Sequence, residues 1–178
     1  MTKTHFEKVS FEQFRKDWLD AFADYYDELD SSENRALIRI IYDDIQLPKR
    51  STKGSAGYDF FVPNHVFIPH NEAVLIPTGI RCQIDDGWFL AIMPRSGMGF
   101  KTGIRLANTF GVIDADYYNA NNEGHIMIKY INESMLGNRG VTIEKGKAFA
   151  QGIFLPYGIT CDDDASGERH GGFGSTDK

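Results

Sequence analysis

The stretch AVLIPTGIRCQIDDGWFLAIM, residues 73–93, decides the fold class. Two apolar runs rich in β-branched and aromatic residues flank Asp-Asp-Gly, a combination typical of strands joined by a turn. Similar runs extend outward on both sides, and Gly, Pro, Asn and Asp separate them at close intervals. The other runs predicted as strands are ALIRIIY (36–42), GHIMIKYI (124–131) and AFAQGIFL (148–155). This pattern predicts an all-β sandwich or jelly roll rather than β-α-β units.

Residues 10–29 have a different period and are predicted to form a helix. Ser10 and Gln13 have the spacing of a capping box at its start. The aromatic stripe indicates a packing or assembly element rather than a ligand site. The apolar residues at helical spacing are Phe11, Phe14, Trp18, Phe22, Tyr25 and Leu29.

Length, composition and charge limit the organisation of the chain and its partners. The chain has 178 residues, 42% of them hydrophobic, which suits one domain and is too little for two cores. A formal charge of -6 argues against broad adhesion to nucleic acid or anionic membranes, but a few arginines can still bind an anionic small molecule. No stretch approaches the roughly 20 apolar residues of a membrane span, so we expect a soluble, cytoplasmic protein. Cys82 and Cys161 are expected to be reduced.

A glycine-rich segment with an arginine follows the predicted strand WFLAIM. In PRSGMGFKTG (94–103), glycines let backbone N–H groups converge on an anion, and Arg95 and Ser96 can donate hydrogen bonds to phosphate oxygens. The spacing differs from that of a P-loop. Taken alone, the segment leaves phosphate binding and an ordinary glycine-rich turn as equal alternatives.

Two carboxylates follow an apolar run in NTFGVIDADYYN (108–119). In a strand, Asp114 and Asp116 would point to the same face and repel each other unless a cation, solvent exposure or a proton separated them. We therefore expect one exposed and one buried carboxylate. A carboxylate near water can act as a general base, and the ring of Tyr117 can cover a sugar. Taken alone, the segment favours the alternative of a hairpin with polar turn residues.

Two further polar residues lie in apolar runs. Asp59 follows an Ala-Gly turn in AGYDFF (56–61), and Gln151 ends GKAFAQ (146–151) in a predicted strand. A turn aspartate and a satisfied strand glutamine are the commoner interpretations of such residues.

The C-terminal segment RHGGFGSTDK (169–178) follows an aspartate-rich linker. It combines an arginine, an aromatic ring and hydroxyl groups among glycines, as an arm that closes over a nucleotide requires. Disorder is the equal alternative for this segment alone.

Taken in order, AGYDFF, PRSGMGFK, GVIDADY, GKAFAQ and GGFGST resemble the five ordered motifs of the trimeric dUTPase family, over about residues 36–177. The resemblance implies an all-β, jelly-roll-like homotrimer with active sites shared between subunits and a flexible C-terminal arm. It implies hydrolysis of dUTP to dUMP and pyrophosphate, which limits uracil in DNA and supplies dUMP for thymidylate synthesis.

The third motif would supply the chemistry and read the nucleoside. The resemblance implies that Asp114 deprotonates the water that attacks the α-phosphorus, and that Tyr117 packs under the deoxyribose and leaves no room for a 2′-hydroxyl. The backbone of residues 108–114 would read the uracil edge. The residues expected to bind the nucleoside are Asn108, Gly111, Val112, Ile113 and Tyr117.

The other motifs would hold the triphosphate. Asp59 is expected to support the site beside metal-bound waters, and Mg²⁺ is expected on the triphosphate without a direct protein ligand. Phe173 of the arm would stack on uracil. The residues expected around the phosphates and in the arm are Arg95, Ser96, Gly97, Gln151, Arg169, Phe173, Gly174, Ser175 and Thr176.

The chain departs from the family pattern in several places. One residue rather than two separates Arg169 from GGFG, Asp177 replaces a glycine, and Lys147 stands where an arginine is common. The loop YNANNEG (118–124) is longer than usual and is similar to that of a bacterial and phage branch.

We predict an N-terminal helical extension (1–35), a β-domain (36–161), and a linker with the arm (162–178). The alternatives to a dUTPase are a dUTP-sensing regulator on the same fold, a dCTP deaminase and a purely structural β-trimer. The general base, the sugar-covering tyrosine and the arm favour the hydrolase.

Overall fold

The computed structural model describes residues 3–26, 31–133, 139–167, 169 and 171. Over these ranges the chain forms two α-helices and twelve β-strands. The helices are α1 (Phe11–Ala21) and α2 (Ser32–Asp43). The strands are β1 (His5–Lys8), β2 (Lys49–Arg50), β3 (Tyr58–Phe61), β4 (Val66–Ile68), β5 (Ala73–Pro77), β6 (Ile80–Gln83), β7 (Trp88–Pro94), β8 (Arg105–Leu106), β9 (Gly111–Ile113), β10 (Met127–Ile131), β11 (Val141–Ile143) and β12 (Ala148–Pro156).

The strands form small antiparallel sheets around one core. The largest sheet has the order β2-β3-β12-β7-β9, and a second has the order β5-β10-β8. Two further pairs, β1-β6 and β4-β11, complete the arrangement. The core includes Phe60, Leu90 and Phe149 from the large sheet and Tyr130 from the second. The all-β, jelly-roll-like class predicted from the sequence is confirmed.

Helix α1 begins where the sequence predicted it. The Ser10 hydroxyl accepts a hydrogen bond from the Gln13 backbone N–H at 3.2 Å, as in a capping box. In a full capping box, the Gln13 side chain would accept from the Ser10 backbone N–H. Here that N–H donates instead to the Glu123 carboxylate at 2.7 Å. The helix ends at Ala21 rather than at residue 29, and a 3-10 turn follows at Ala23–Tyr25. Residues 27–29 of the predicted helix lie outside the described residues.

The prediction of a strand at 36–42 is wrong, because this segment belongs to α2. Its Ile-rich sequence has high β-propensity, and that propensity indicated a strand. The helix is capped instead by the Ser31 hydroxyl, which accepts from the Asn34 N–H at 3.2 Å. Ile38 and Ile41 are buried on one face, so tertiary packing outweighs local propensity.

Both helices lie beside the sheets rather than within a separate domain. Helix α1 packs against α2 and against β5. Among the described residues, neither helix has the length and apolar character needed to cross a bilayer. The helical layer therefore covers part of the β-structure, and the division of the chain at residues 35 and 161 stays a prediction.

Candidate active site

Neighbouring strands bring the first, second and fourth motifs side by side. Gln151 of β12 pairs with Asp59 of β3 on one side and with Met93 of β7 on the other. Side chains of residues that are level in adjacent strands lie within contact distance. Asp59, Arg95 and Gln151 therefore meet near the end of β7, although they are distant in the sequence.

Asp59 is a buried carboxylate between a hydroxyl and a cation. The Ser51 hydroxyl donates to Oδ2 at 2.9 Å, and Nε of Arg95 lies 3.2 Å from Oδ1. A buried charge needs such partners, because it has lost its hydration. The Arg95 side chain is 42% exposed, so its guanidinium also faces solvent and can meet an anion there. Ser51 belongs to none of the motifs, so sequence patterns could not identify it as a partner of Asp59.

The orientation of Gln151 is set by its neighbours. Its Nε2 donates to the carbonyl of Pro94 at 3.2 Å. A Cβ at Gly57 would lie only 2.5 Å from Oε1, so the glycine of AGYDFF leaves room for this amide. The first, second and fourth motifs are thus linked by contacts between Gly57, Gln151 and Pro94.

The glycine-rich segment after β7 forms a helical turn. The N–H of Met98 donates to the carbonyl of Arg95 at 2.9 Å, and a π-type turn covers Met98–Thr102. Ser96 is exposed, and a Cβ at Gly97 would meet nothing within 4 Å. This end of β7 therefore presents a guanidinium, a hydroxyl and an unobstructed backbone to solvent.

The segment from β8 to β9 borders an apolar pocket of about 300 Å³. Asn108, Gly111 and Ile113 line it together with Ile92 and Met127. An apolar pocket with one amide side chain suits a flat heterocycle that needs one polar reading group. Val112 lies between these lining residues on β9 and is 51% exposed.

The prediction about Asp114 and Asp116 is wrong in two respects. Asp114 follows β9 and Asp116 lies in the 3-10 turn Ala115–Asn119, so the two do not share a strand face. Neither is buried, since their side chains are 46% and 57% exposed. Nη2 of Arg169 lies 2.5 Å from Oδ2 of Asp114, and its Nε lies 2.8 Å from Oδ1 of Asp116. Exposure and a shared cation relieve the repulsion.

Tyr117 is buried beside these carboxylates and anchored through its hydroxyl. The hydroxyl donates to the carbonyl of His125 at 2.8 Å and accepts from Nδ2 of Asn122 at 2.8 Å. Burial raises the pKa of Tyr117, so the phenol keeps the proton that it donates. Cζ of Arg169 lies 5.8 Å from the centroid of the tyrosine ring, so the guanidinium lies over it.

The candidate residues lie at two different ends of β7. Leu90 pairs with Ile113, so Asp114 is level with Phe89, whereas Arg95 follows the last residue of the strand. At about 3.3 Å per residue, the six residues between these levels span about 20 Å. Within a single subunit, the candidate base Asp114 is therefore distant from Arg95.

The described residues offer no ready-made cage for a cation. Among them, no group of three or more His, Cys, Asp and Glu residues could hold a metal ion. Asp59 and Asp114 each already face an arginine. Such carboxylates suit a hydrated Mg²⁺ that arrives on a phosphate chain and keeps its water ligands. Phe173, Gly174, Ser175 and Thr176 lie outside the described residues.

Comparison with known proteins gives the class of protein to which this fold and site belong. The model of the dUTPase family matches residues 43–177, and the chain belongs to this family. A deoxyuridine 5'-triphosphate nucleotidohydrolase of Lactococcus lactis is 42% identical over 135 residues, which are 74% of this chain and 88% of that protein. The resemblance inferred from the motifs is confirmed.

Solved structures agree with this membership. The crystal structure of a dUTPase from Streptococcus mutans has a TM-score of 0.59 and 39% identity, and the match covers 64% of this chain and 88% of that one. A mutant dUTPase from phage phi11 of S. aureus, in which a structural Mg(II) ion is coordinated, has a TM-score of 0.57. The latter is 22% identical over 72% of this chain and 95% of that one, and shows the shared fold alone.

Proposed function

We propose that this chain hydrolyses dUTP to dUMP and pyrophosphate. The carrying observation is that the family match spans all five motifs, from residue 43 to residue 177. The apolar pocket beside Asn108, the carboxylate of Asp114 and the cationic end of β7 support the same substrate, because it joins a flat base to a triphosphate.

Asp114 is the general base of the proposed reaction. Its exposed carboxylate takes a proton from a water molecule as the water oxygen bonds to the α-phosphorus and the bond to the bridging oxygen of the leaving pyrophosphate breaks. A correctly placed base contributes about 10²–10⁴-fold to such a rate. Tyr117 supports the deoxyribose, and Asn108 with the backbone of Gly111, Val112 and Ile113 reads uracil.

Arg95, Ser96, Gly97 and Gln151 bind the phosphate chain. The guanidinium of Arg95, fixed by Asp59, neutralises charge that develops on the leaving group. When bound on the triphosphate, Mg²⁺ supplies further neutralisation of that charge. Asp59 would contact its water ligands, because both carboxylate oxygens already have protein partners.

The proposed active unit is a homotrimer with shared sites. About 20 Å of β7 separate Asp114 from Arg95 in one subunit, which is too far for both to act on one triphosphate. A heterologous interface that closes into a ring can place Asp114 of one subunit opposite Arg95 of the next. The arm, with Arg169, Phe173, Gly174, Ser175 and Thr176, would then close over the nucleotide.

The test is pyrophosphate release from dUTP, dTTP, dCTP and UTP with Mg²⁺, for the wild type and for Asp114→Asn. We expect release from dUTP alone, and a variant that binds dUTP without hydrolysing it. Binding of dUTP without turnover by the wild type would replace this proposal with the dUTP-sensing regulator. Release of ammonia from dCTP would replace it with the deaminase.

A further inference from the structure

The polar side chains of the N-terminal extension converge on one segment of the chain, residues 117–125. Glu7 contacts the hydroxyl of Tyr118, and Asp17 contacts the ring of His125. Ser10 binds Glu123. All three residues precede residue 43, where the family match begins, so these contacts are made from outside the matched segment.

His125 is held at both ring nitrogens. The N–H of Gly79 donates to Nε2 at 2.7 Å, so Nε2 carries a lone pair. The remaining ring proton is then on Nδ1, which lies 2.5 Å from Oδ2 of Asp17. The ring is fully buried, and Gln13 donates to the same Asp17 oxygen at 2.8 Å. Because both ends of the ring are fixed, the His125 backbone has little freedom.

The backbone of His125 holds Tyr117 in turn. Its carbonyl accepts the hydrogen bond from the Tyr117 hydroxyl at 2.8 Å. Nδ2 of Asn122 donates to the same hydroxyl at 2.8 Å. Two hydrogen bonds, joined through the covalent frame of His125, therefore link Asp17 in α1 to the phenol of Tyr117.

Ser10 holds the turn that lies between Tyr117 and His125. Glu123 has a φ of 58°, in the left-handed region that glutamate rarely adopts. Its carboxylate accepts from the Ser10 N–H at 2.7 Å and from the Ser10 hydroxyl at 2.6 Å. The N-terminus of α1 thus fixes a conformation that the segment would not favour by itself.

We propose that Asp17 is a positioning residue that, through His125, fixes the ring of Tyr117, so that the N-terminal extension sets the discrimination between deoxyribose and ribose. The inference rests on the proposed function, in which Tyr117 packs under the sugar. A ring fixed at its hydroxyl cannot tilt away to admit a 2′-hydroxyl. Loss of the Asp17 carboxylate leaves the His125 ring without its partner at Nδ1, so His125 can move. The ring of Tyr117, which is held by the His125 carbonyl, can then move as well.

The experiment compares kcat/KM for dUTP with kcat/KM for UTP in the full chain. We expect Asp17→Ala to lower the dUTP to UTP ratio by about tenfold to a hundredfold, as expected for a small misplacement of a substrate-contacting ring. Asp17→Asn keeps an oxygen that can accept from Nδ1 of His125, and should retain most of the ratio. Leu19→Ala shortens a buried side chain of the same helix outside the hydrogen-bond chain, and should leave the ratio unchanged.

A double-mutant cycle identifies the route. In a Tyr117→Phe background, whose ring has lost the hydroxyl, Asp17→Ala should lower the ratio no further. An unchanged ratio in Asp17→Ala, or the same fall in Leu19→Ala, would overturn the inference. If Asp17→Ala does not fold, an unchanged ratio in Tyr117→Phe would overturn it instead. Failure of the proposed function differs from all of these, because the wild type itself would then not hydrolyse dUTP.

Discussion

Nη2 of Arg169 lies 2.5 Å from Oδ2 of Asp114, so the C-terminal segment contacts the candidate base of its own subunit. The same guanidinium also binds Asp116 and lies over the ring of Tyr117. The Arg169 side chain is 19% exposed, whereas that of Asp114 is 46% exposed. A bound triphosphate would compete with Asp114 for the Arg169 guanidinium, so we expect nucleotide binding to release the Asp114 carboxylate from this contact.

Replacement of Arg169 distinguishes its ion pair with Asp114 from its proposed contact with the phosphates. We expect Arg169→Ala to lower kcat/KM for dUTP by about 10²-fold, because a cation that binds the phosphates in the transition state is lost. Arg169→Lys should recover only part of this loss, since an ammonium group cannot bind two oxygens in the same planar geometry. Steady-state kinetics provide the measurement. A variant faster than the wild type would show that Arg169 acts mainly as a block on Asp114.

Mixed trimers test whether the sites are shared. Neither Arg95→Ala nor Asp114→Asn should hydrolyse dUTP alone. Unfolding and refolding the two variants together should restore about a quarter of the wild-type activity, because that share of interfaces pairs an intact Arg95 with an intact Asp114. Sites built within one chain would give no restoration, and a stable monomer with full activity would contradict the trimer.

Gly124 is expected to be sensitive to substitution. Its φ is 69°, and an added Cβ would lie 2.7 Å from the carbonyl oxygen of Tyr117. We expect Gly124→Ala to reduce the free energy of unfolding by at least about 2 kcal/mol, through combined backbone strain and steric overlap.

Two other glycines provide matched controls for Gly124. Gly87 has a φ of 80° but open space for a Cβ, so Gly87→Ala should cost about 1 kcal/mol from the backbone alone. Gly158 has open space and no positive φ, so Gly158→Ala should change stability by less than about 0.5 kcal/mol. Denaturant unfolding measures all three. Equal values for Gly124→Ala and Gly158→Ala would contradict the tight turn.

The two cysteines should differ in reactivity. Burial raises the pKa of the Cys82 thiol to about 12, so this thiol stays protonated near neutral pH, whereas Cys161 is exposed. A thiol reagent at about pH 8 should therefore label Cys161 alone in the folded protein and both cysteines in denaturant. Rapid labelling of Cys82 in the folded chain would show that the β-sheet around it opens easily.

Local sequence predicted the longer strands β5, β6, β7, β10 and β12, but it missed the second helix and short strands such as β1 and β4. Runs such as AFAQGIFL are short apolar segments bounded by turn residues, and these local features predict β12 without tertiary information. In α2, the run ALIRIIY contains three β-branched isoleucines, and the Ser31 cap together with the burial of Ile38 and Ile41 favours the helix. The strand conformation assumed for Asp114 and Asp116 failed for a similar reason, since the chain turns directly after β9.

The sequence by itself determined the family, the β class and the order of the chemistry-bearing residues. Motif spacing and strand period are local properties, so they can be read from the order of residues along the chain. Only the tertiary structure placed Asp59 and Gln151 beside Arg95, and Asp114 at the other end of β7. It alone joined Asp17 to His125, 108 positions away. Hydrogen bonds between distant residues leave no periodic signal in a chain, so sequence patterns cannot predict them.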